Sequence, residues 1–288
     1  MALRPLLSFR TGQQSPLSKR GRRARRYTPA LLSLCALVAF SAPAVLRAVV
    51  AHPVRPVQDA AARAIAANPA PVPFQVGERL DYDVRFGSLK VGTGSMEVKE
   101  ITEVRGRPVW HTAFTIKGGI PLYRVNDLYE SWFDVNTLNT LRYHQDVDEG
   151  NYERKRRYEI FPERGMMREG DRPEEPTVTN PLDEGSFLYF VRTLPLEVGK
   201  TYEFSRYFKA QGNPVRIRVL RRESVTVPGG TFQTVVLQPT FQTKGIFSQN
   251  GRAEVWITDD ERRMMVQMKS KLSFGSLNLF LKGAKGTK

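Results

Sequence analysis

The chain has 288 residues, of which 41% are hydrophobic and 25% charged, and a net charge of +15. Such a composition supports a buried core and excludes disorder of the whole chain. Residues 1–44 hold eight basic residues and no acid, which leaves +7 on the rest, so nucleic-acid binding loses its main support.

The basic stretch ends at Arg25-Arg26-Tyr27 and leads into the apolar run Ala30–Phe40, followed by Ser41-Ala42-Pro43-Ala44. A positive segment, a short apolar run and a small-residue site are the three parts of a secretory signal peptide, with the cut expected after Ala44. The run is shorter than the roughly 20 residues a helix needs to span a bilayer. The expected location is the periplasm or cell envelope. The alternative is an uncleaved inner-membrane anchor, with the apolar run extended through Val45-Leu46 to Arg47. Cys35, the only cysteine, lies inside the run, so the mature domain carries no disulfide or thiol chemistry. Leu34 stands before it, where a lipid-acylated cysteine needs a small residue.

Residues 45–73 are rich in Ala, Pro and Val and read as a linker. A single β-rich domain is expected over 74–282, with a tail at 283–288. From Phe74 onward the apolar spacing becomes two. Leu80, Tyr82, Val84 and Phe86 alternate with Asp81, Asp83 and Arg85, the pattern of a half-buried strand. The alternation recurs at Trp110–Ile116, and at Tyr202, Phe204 and Tyr207 with one slip. It continues at Val215–Val219, Val225–Val227, Val235–Leu237, Ala253–Ile257, Met264–Met268 and Leu272–Phe274. Gly87-Ser88, Arg105–Pro108, Asp148–Asn151, Pro228–Gly230 and Thr258–Glu261 supply the turns.

One stretch breaks the period. Phe187, Phe190, Val191 and Leu194 form one face of a short helix near 183–194, with Asp183 as N-cap and Pro195 as stop. The fold class is therefore mainly β: an antiparallel curved sheet forming a barrel, half-barrel or sandwich, with a helix against it. The basic run Arg154-Lys155-Arg156-Arg157 reads as a solvated strand edge. Gly92 and Gly94 read as a strand position where side chains are omitted for close packing or a bulge. In the last segment Leu277, Leu279 and Leu281 face one side and Phe280 the other, as in a strand covered on both faces.

Chemistry-bearing patterns are few. His52, His111 and His144 match no metal spacing, and no nucleophile-serine, Walker or dinucleotide motif occurs. No catalytic residue, cofactor or metal site is expected. Asp127 with Glu130, or Asp259 with Asp260, are the carboxylate pairs a glycan hydrolase could use. The aromatics Trp110, Trp132, Trp256, Tyr123, Tyr129, Phe133, Tyr189 and Tyr207 could fill the core or line a concavity for an apolar ligand.

Four motifs occur in order: Phe74-x-Val76-Gly77-Glu78-x-Leu80-x-Tyr82; Asn180–Asp183 leading to Phe187-x-Tyr189-Phe190-x-Arg192-x-Leu194-Pro195-Leu196-x-x-Gly199; Val227-Pro228-x-Gly230-Thr231-Phe232; and Gly251-x-x-x-Val255-Trp256-Ile257-Thr258-Asp259-Asp260 with Phe274-Gly275-Ser276. Together they resemble the bacterial domain of unknown function 3108 family over nearly all of 74–282. The order Pro181-Leu182-Asp183-Glu184-Gly185-Ser186-Phe187 departs from the Asp-Pro order expected in the family's central motif. The resemblance implies an exported, β-rich envelope protein without an established activity. It marks Gly77, Glu78, Tyr82, Asp183, Tyr189, Arg192, Gly199, Gly230, Trp256 and Asp260 as motif residues of structural or unknown role.

The leading expectation is a non-enzymatic envelope protein that holds an apolar small molecule or lipid in its curved sheet, with only peripheral membrane contact. The alternative is an assembly module docking on an envelope protein, and the third reading is a glycan hydrolase.

Overall fold

The computed structural model describes residues 71–121, 123–242, 247, 253–272 and 275–288. The expected signal segment, with Cys35, and His52 lie outside the described residues, as do most of the expected linker and Phe274.

Fourteen strands form one antiparallel sheet. They are β1 (Arg79–Phe86), β2 (Leu89–Val104), β3 (Arg107–Ile120), β4 (Tyr123–Asp134), β5 (Thr140–Glu149), β6 (Tyr152–Phe161), β7 (Met166–Glu169) and β8 (Glu175–Pro176), then β9 (Thr201–Phe204), β10 (Val215–Val227), β11 (Gly230–Thr240), β12 (Glu254–Thr258), β13 (Met265–Leu272) and β14 (Gly275–Lys285). Each strand pairs with its sequence neighbours except at two places. β1 pairs with β14, and β8 and β9, the two ends of the sheet, do not pair with each other. The sheet is thus a meander joined through the first and last strands and left open in the middle of the chain. The helix α1 (Glu184–Val191) lies in the connection across that opening.

The strand period carries the interior. One row of inward side chains crosses six strands, from Val84 through Leu279, Met268, Val255 and Leu237 to Val219. All six are buried. Burying such a side chain contributes about 1.5–3 kcal/mol each, so this row alone is a large share of the core. Gly92 faces Gly118 across β2 and β3, and a Cβ on either would run into the partner strand's backbone. The two strands therefore approach closely beside the register shift at Val84/Arg85.

Several details differ from the sequence reading. The helix ends at Val191, not at Leu194. Arg192, Thr193 and Leu194 bond back three residues, to Tyr189, Phe190 and Val191, because Pro195 keeps Leu194 out of the helical conformation. The expected tail is not loose: β14 runs to Lys285, Lys288 Nζ donates to the Val72 carbonyl (2.6 Å) and Gln75 to that of Gly286 (3.0 Å). Tyr207 belongs to no strand, since β9 stops at Phe204. The basic run is not a sheet edge either. β6 lies between β5 and β7, so the strand period buries Arg156 inside while Lys155 and Arg157 stay on the solvent side.

Candidate functional site

Helix α1 begins with a strongly built cap. Asp183 accepts hydrogen bonds from the Gly185 and Ser186 N–H groups, while Ser186 Oγ accepts from the Asp183 N–H, a reciprocal capping box. Ser131 Oγ on β4 (2.6 Å) and Thr140 Oγ1 on β5 (2.8 Å) donate to the same carboxylate, which fixes the helix start against the inner face of the sheet. Full burial lifts the Asp183 pKa to about 6, against the pull of its hydrogen bonds.

Beyond that cap the interior of β4–β6 mixes polar and charged groups (Asp127, Ser131, Gln145, Arg156) with the apolar ones. One row runs from Arg156 through Gln145, Tyr129, Phe114 and Met96 to Leu80, turning from charged to apolar along the sheet. Buried Glu184 accepts from Tyr207 Oη at 2.6 Å, and Lys209 Nζ donates to Tyr158 Oη at 2.8 Å. Arg156 faces Glu169 at 3.5 Å. Burial pushes the Lys209 ammonium down to about 8, with Glu184 opposing the fall, and raises the tyrosine hydroxyls of Tyr129, Tyr143, Tyr158 and Tyr207. Asp127 is also raised, chiefly by burial; its carboxylate accepts from the Asp148 N–H (3.0 Å) and from Tyr129 Oη (3.4 Å).

The other end of α1 is held by a clasp. Arg192 is fully buried and makes a two-pronged ion pair with Glu78 (2.6 and 2.9 Å), adding bonds to the Pro73 and Arg262 carbonyls. Its guanidinium packs over the rings of Phe74 and Tyr189, 5.4 and 5.7 Å to the centroids. Tyr82 Oη donates to the Met265 carbonyl (2.9 Å). Asp260 accepts from Thr258 Oγ1 and from the Arg262 and Arg263 N–H groups, shaping the turn that presents the Arg262 carbonyl to the clasp.

Of the ten motif residues, Glu78, Arg192 and Tyr189 meet directly in the clasp, and Asp260 joins through its turn. Tyr82 anchors nearby, and Asp183 caps the opposite end of the same helix. Gly77, Gly199 and Gly230 occupy positive-φ positions that suit glycine (+85°, +85° and +131°). Trp256 stands apart on the outer face, its Nε1 donating to Glu223 (2.6 Å) under Arg221 and Lys269.

The carboxylate pairs do not assemble. Asp127 points inward, whereas Glu130, three residues on, points outward to Lys99 (2.7 Å) and His111 (3.1 Å). Asp259 pairs with Arg222 and Asp260 shapes its own turn. His111 stacks on Trp132 (4.3 Å) and His144 meets the same indole edge-on (4.7 Å), all on the outer face. Burial and the neighbouring Arg157 and Arg142 hold the His144 pKa down. Among the described residues no group of three or more His, Cys, Asp or Glu could hold a metal, and no helix is long and apolar enough to cross a membrane.

At the opening between β8 and β9 the chain is stitched rather than laddered. Leu182 and Tyr207 form a parallel bridge, with Leu182 N donating to Arg206 O (2.6 Å) and Phe208 N to Leu182 O (3.0 Å). Beside the stitch Leu182, Phe187, Phe190, Phe204, Arg206, Tyr207, Val215 and Phe241 pack around a narrow crevice that has no room for a water molecule. None of this was legible in the sequence except the apolar helix face, because the crevice is built from loops on either side of the opening.

The family model for proteins of unknown function DUF3108 matches residues 81–282. The chain belongs to that family. No curated protein matches the sequence. Among solved structures, a β-barrel-like protein of the DUF1849 family from Brucella abortus is similar at 10% identity with a TM-score of 0.50, covering 76% of this chain and all of the other. That likeness supports a barrel-like fold for this DUF3108 domain. A candidate lipoprotein from Parabacteroides distasonis (TM-score 0.35, 10% identity) and a candidate exported protein with a YmcC-like fold from Bacteroides fragilis (TM-score 0.29, 11% identity) also align, each over 76% of this chain and all of the other.

Proposed function

We propose that this is an exported, non-enzymatic protein of the cell envelope that binds a small apolar or amphipathic ligand at the opening of its curved sheet. The observation that carries the reading is the aromatic crevice between helix α1 and the β9–β10 end of the sheet, beside the place where, among the described residues, loop stitching replaces the ladder. Rings and aliphatic groups dominate its wall, as in sites that take apolar ligands. As it stands the crevice has no room for a water molecule, so a short chain or ring enters only when its lining side chains move apart. The basic and apolar amino-terminal segment supports delivery to the envelope.

Native mass spectrometry of protein purified from envelope fractions tests this reading. A co-purified amphiphile that is retained more tightly in Phe204→Ala, which opens the crevice from its part-exposed side, is the expected result. A protein that carries no small molecule and does not bind an apolar fluorophore would sink it. Amino-terminal sequencing of the same material tests the cut after Ala44.

The free edge of β9 favours a second reading. Thr201–Phe204 pair only with β10, so an extended segment of another envelope protein could add a strand there. Site-specific crosslinking from Glu203 that captures no reproducible neighbour would rule that out.

A further inference from the structure

One end of the sheet presents apolar side chains on neighbouring hairpin tips. Among the described residues four large apolar side chains are exposed: Val76, Leu89, Ile120 and Val198. Val76 and Val198 stand singly in the segments that lead into β1 and β9, six strands apart in the sheet, and single exposed aliphatics are ordinary. Leu89 (62% exposed) and Ile120 (40% exposed) are placed differently. Leu89 closes the β1–β2 hairpin opposite Phe86, and Ile120 opens the β3–β4 hairpin opposite Tyr123. β2 and β3 are neighbours, and at this end their ladder stops at the pair Gly92 and Gly118. A Cβ on either glycine would lie 2.2 Å from a backbone oxygen of the other strand, so the two strands are pinched together there. Past the pinch Leu89 and Ile120 lie three and two residues further out on the same end, roughly 10 and 7 Å of extended chain.

The charges around these tips are sorted by exposure. Lys90 pairs with Asp83, and Arg124 with Asp148. In each pair the cation projects and the acid is withdrawn: 49% of the side chain is exposed against 9%, and 72% against 28%. Lys117, three residues before Ile120, is exposed and pairs with no acid among the described residues. The exposed acid Glu153 belongs to the next tip, on β6, where Lys155 accompanies it (3.7 Å). Aliphatic tips ringed by projecting cations match the surface of an anionic bilayer, whose acyl boundary takes apolar side chains and whose headgroups attract lysine and arginine. We propose that this end of the sheet is a membrane-contact surface. Leu89 and Ile120 enter the headgroup layer of an anionic phospholipid bilayer, and Lys90, Lys117 and Arg124 lie against its phosphates. Such a contact is peripheral and reversible.

The test is co-sedimentation of protein purified from envelope fractions with two kinds of vesicle: phosphatidylcholine alone, and phosphatidylcholine with phosphatidylglycerol in equal parts. The wild type should bind the mixed vesicles about tenfold or more tightly than the neutral ones, with the advantage shrinking as salt is added. Leu89→Ser combined with Ile120→Ser should weaken binding to the mixed vesicles about tenfold or more, and Lys117→Gln should weaken it about fivefold. Val76→Ser combined with Val198→Ser, which removes the exposed apolar groups elsewhere, should leave binding unchanged. All these positions are exposed, so the fold should stand. Every variant carries the same amino terminus as the wild type, so differences between them report the tips. Wild-type protein that sediments with neither vesicle, or equally with both, would overturn the proposal. So would a Leu89→Ser, Ile120→Ser variant that binds like the wild type, or a control pair that loses as much.

Discussion

The two halves of the sheet are built on opposite principles. From β10 through β14 to β1 the inward row is Val219, Leu237, Val255, Met268, Leu279 and Val84, with no group that can ionise. From β6 back to β1 the equivalent row starts with Arg156 and Gln145 before it becomes apolar. Helix α1 lies between them, with Asp183 and Glu184 facing the polar half and Phe187 stacked edge-on against Phe241 of the apolar half (4.8 Å). The difference teaches that one half supplies packing energy that does not depend on pH, while the other holds charges whose cost and benefit do. The buried polar pairs fix one arrangement of the helix at a cost, since Glu184 Oε2 and Arg156 Nε are buried without a hydrogen-bond partner.

The joint between the halves gives the largest expected effect. Arg192→Met leaves Glu78 as a buried, unpaired charge and should lower stability by about 3–5 kcal/mol in urea titrations. Adding Glu78→Gln should recover much of that loss; no recovery would mean that the arginine's packing over Phe74 and Tyr189, not its charge, holds the helix. In the apolar half, Leu237→Ala should cost about 2–5 kcal/mol. That loss should stay the same between pH 5 and 9, and a pH-dependent loss would break the comparison.

Asp183→Ala removes a cap and should cost about 1–2 kcal/mol at pH 7. Its pH signature is more specific. The folded pKa of about 6 lies above the unfolded value, so protonation favours the native state. The resulting stability is fully present below roughly pH 4 and is lost as pH rises through 6. The wild type minus variant difference should therefore grow on acidification from pH 7 to 4, as read from denaturation midpoints. The smallest effect belongs to Lys209→Met, within about 1 kcal/mol at pH 7 because the amine it removes is poorly solvated in the fold. With a folded pKa of about 8 below the unfolded value, the neutral amine is favoured in the native state. The wild type should gain stability as pH rises from about 8 toward 10.5 and the variant should not. Equal slopes would show that Lys209 is solvated.

The same division explains what could be read in advance. Strands β1, β10, β11 and β12 announce themselves through plain alternation of Val, Leu and Ile. β4, β5 and β6 do not, because Asp127, Ser131, Gln145 and Arg156 occupy inward positions where the pattern demands apolar residues. A basic run such as Arg154–Arg157 looks like surface until the strand period splits it between two faces. The helix was legible from its apolar face and its Asp183 cap, yet its exact end was decided by Pro195.

Local sequence determined the antiparallel β class, the turns, the helix cap and the family, because period, glycine position and capping chemistry act over a few residues. Only the tertiary structure decided that β1 closes onto β14, that Glu78 meets Arg192 across 114 positions of sequence, and that Leu182 and Tyr207 stitch the opening between β8 and β9. Those pairings depend on how far the sheet curls, a property of the whole set of strands that no single segment encodes.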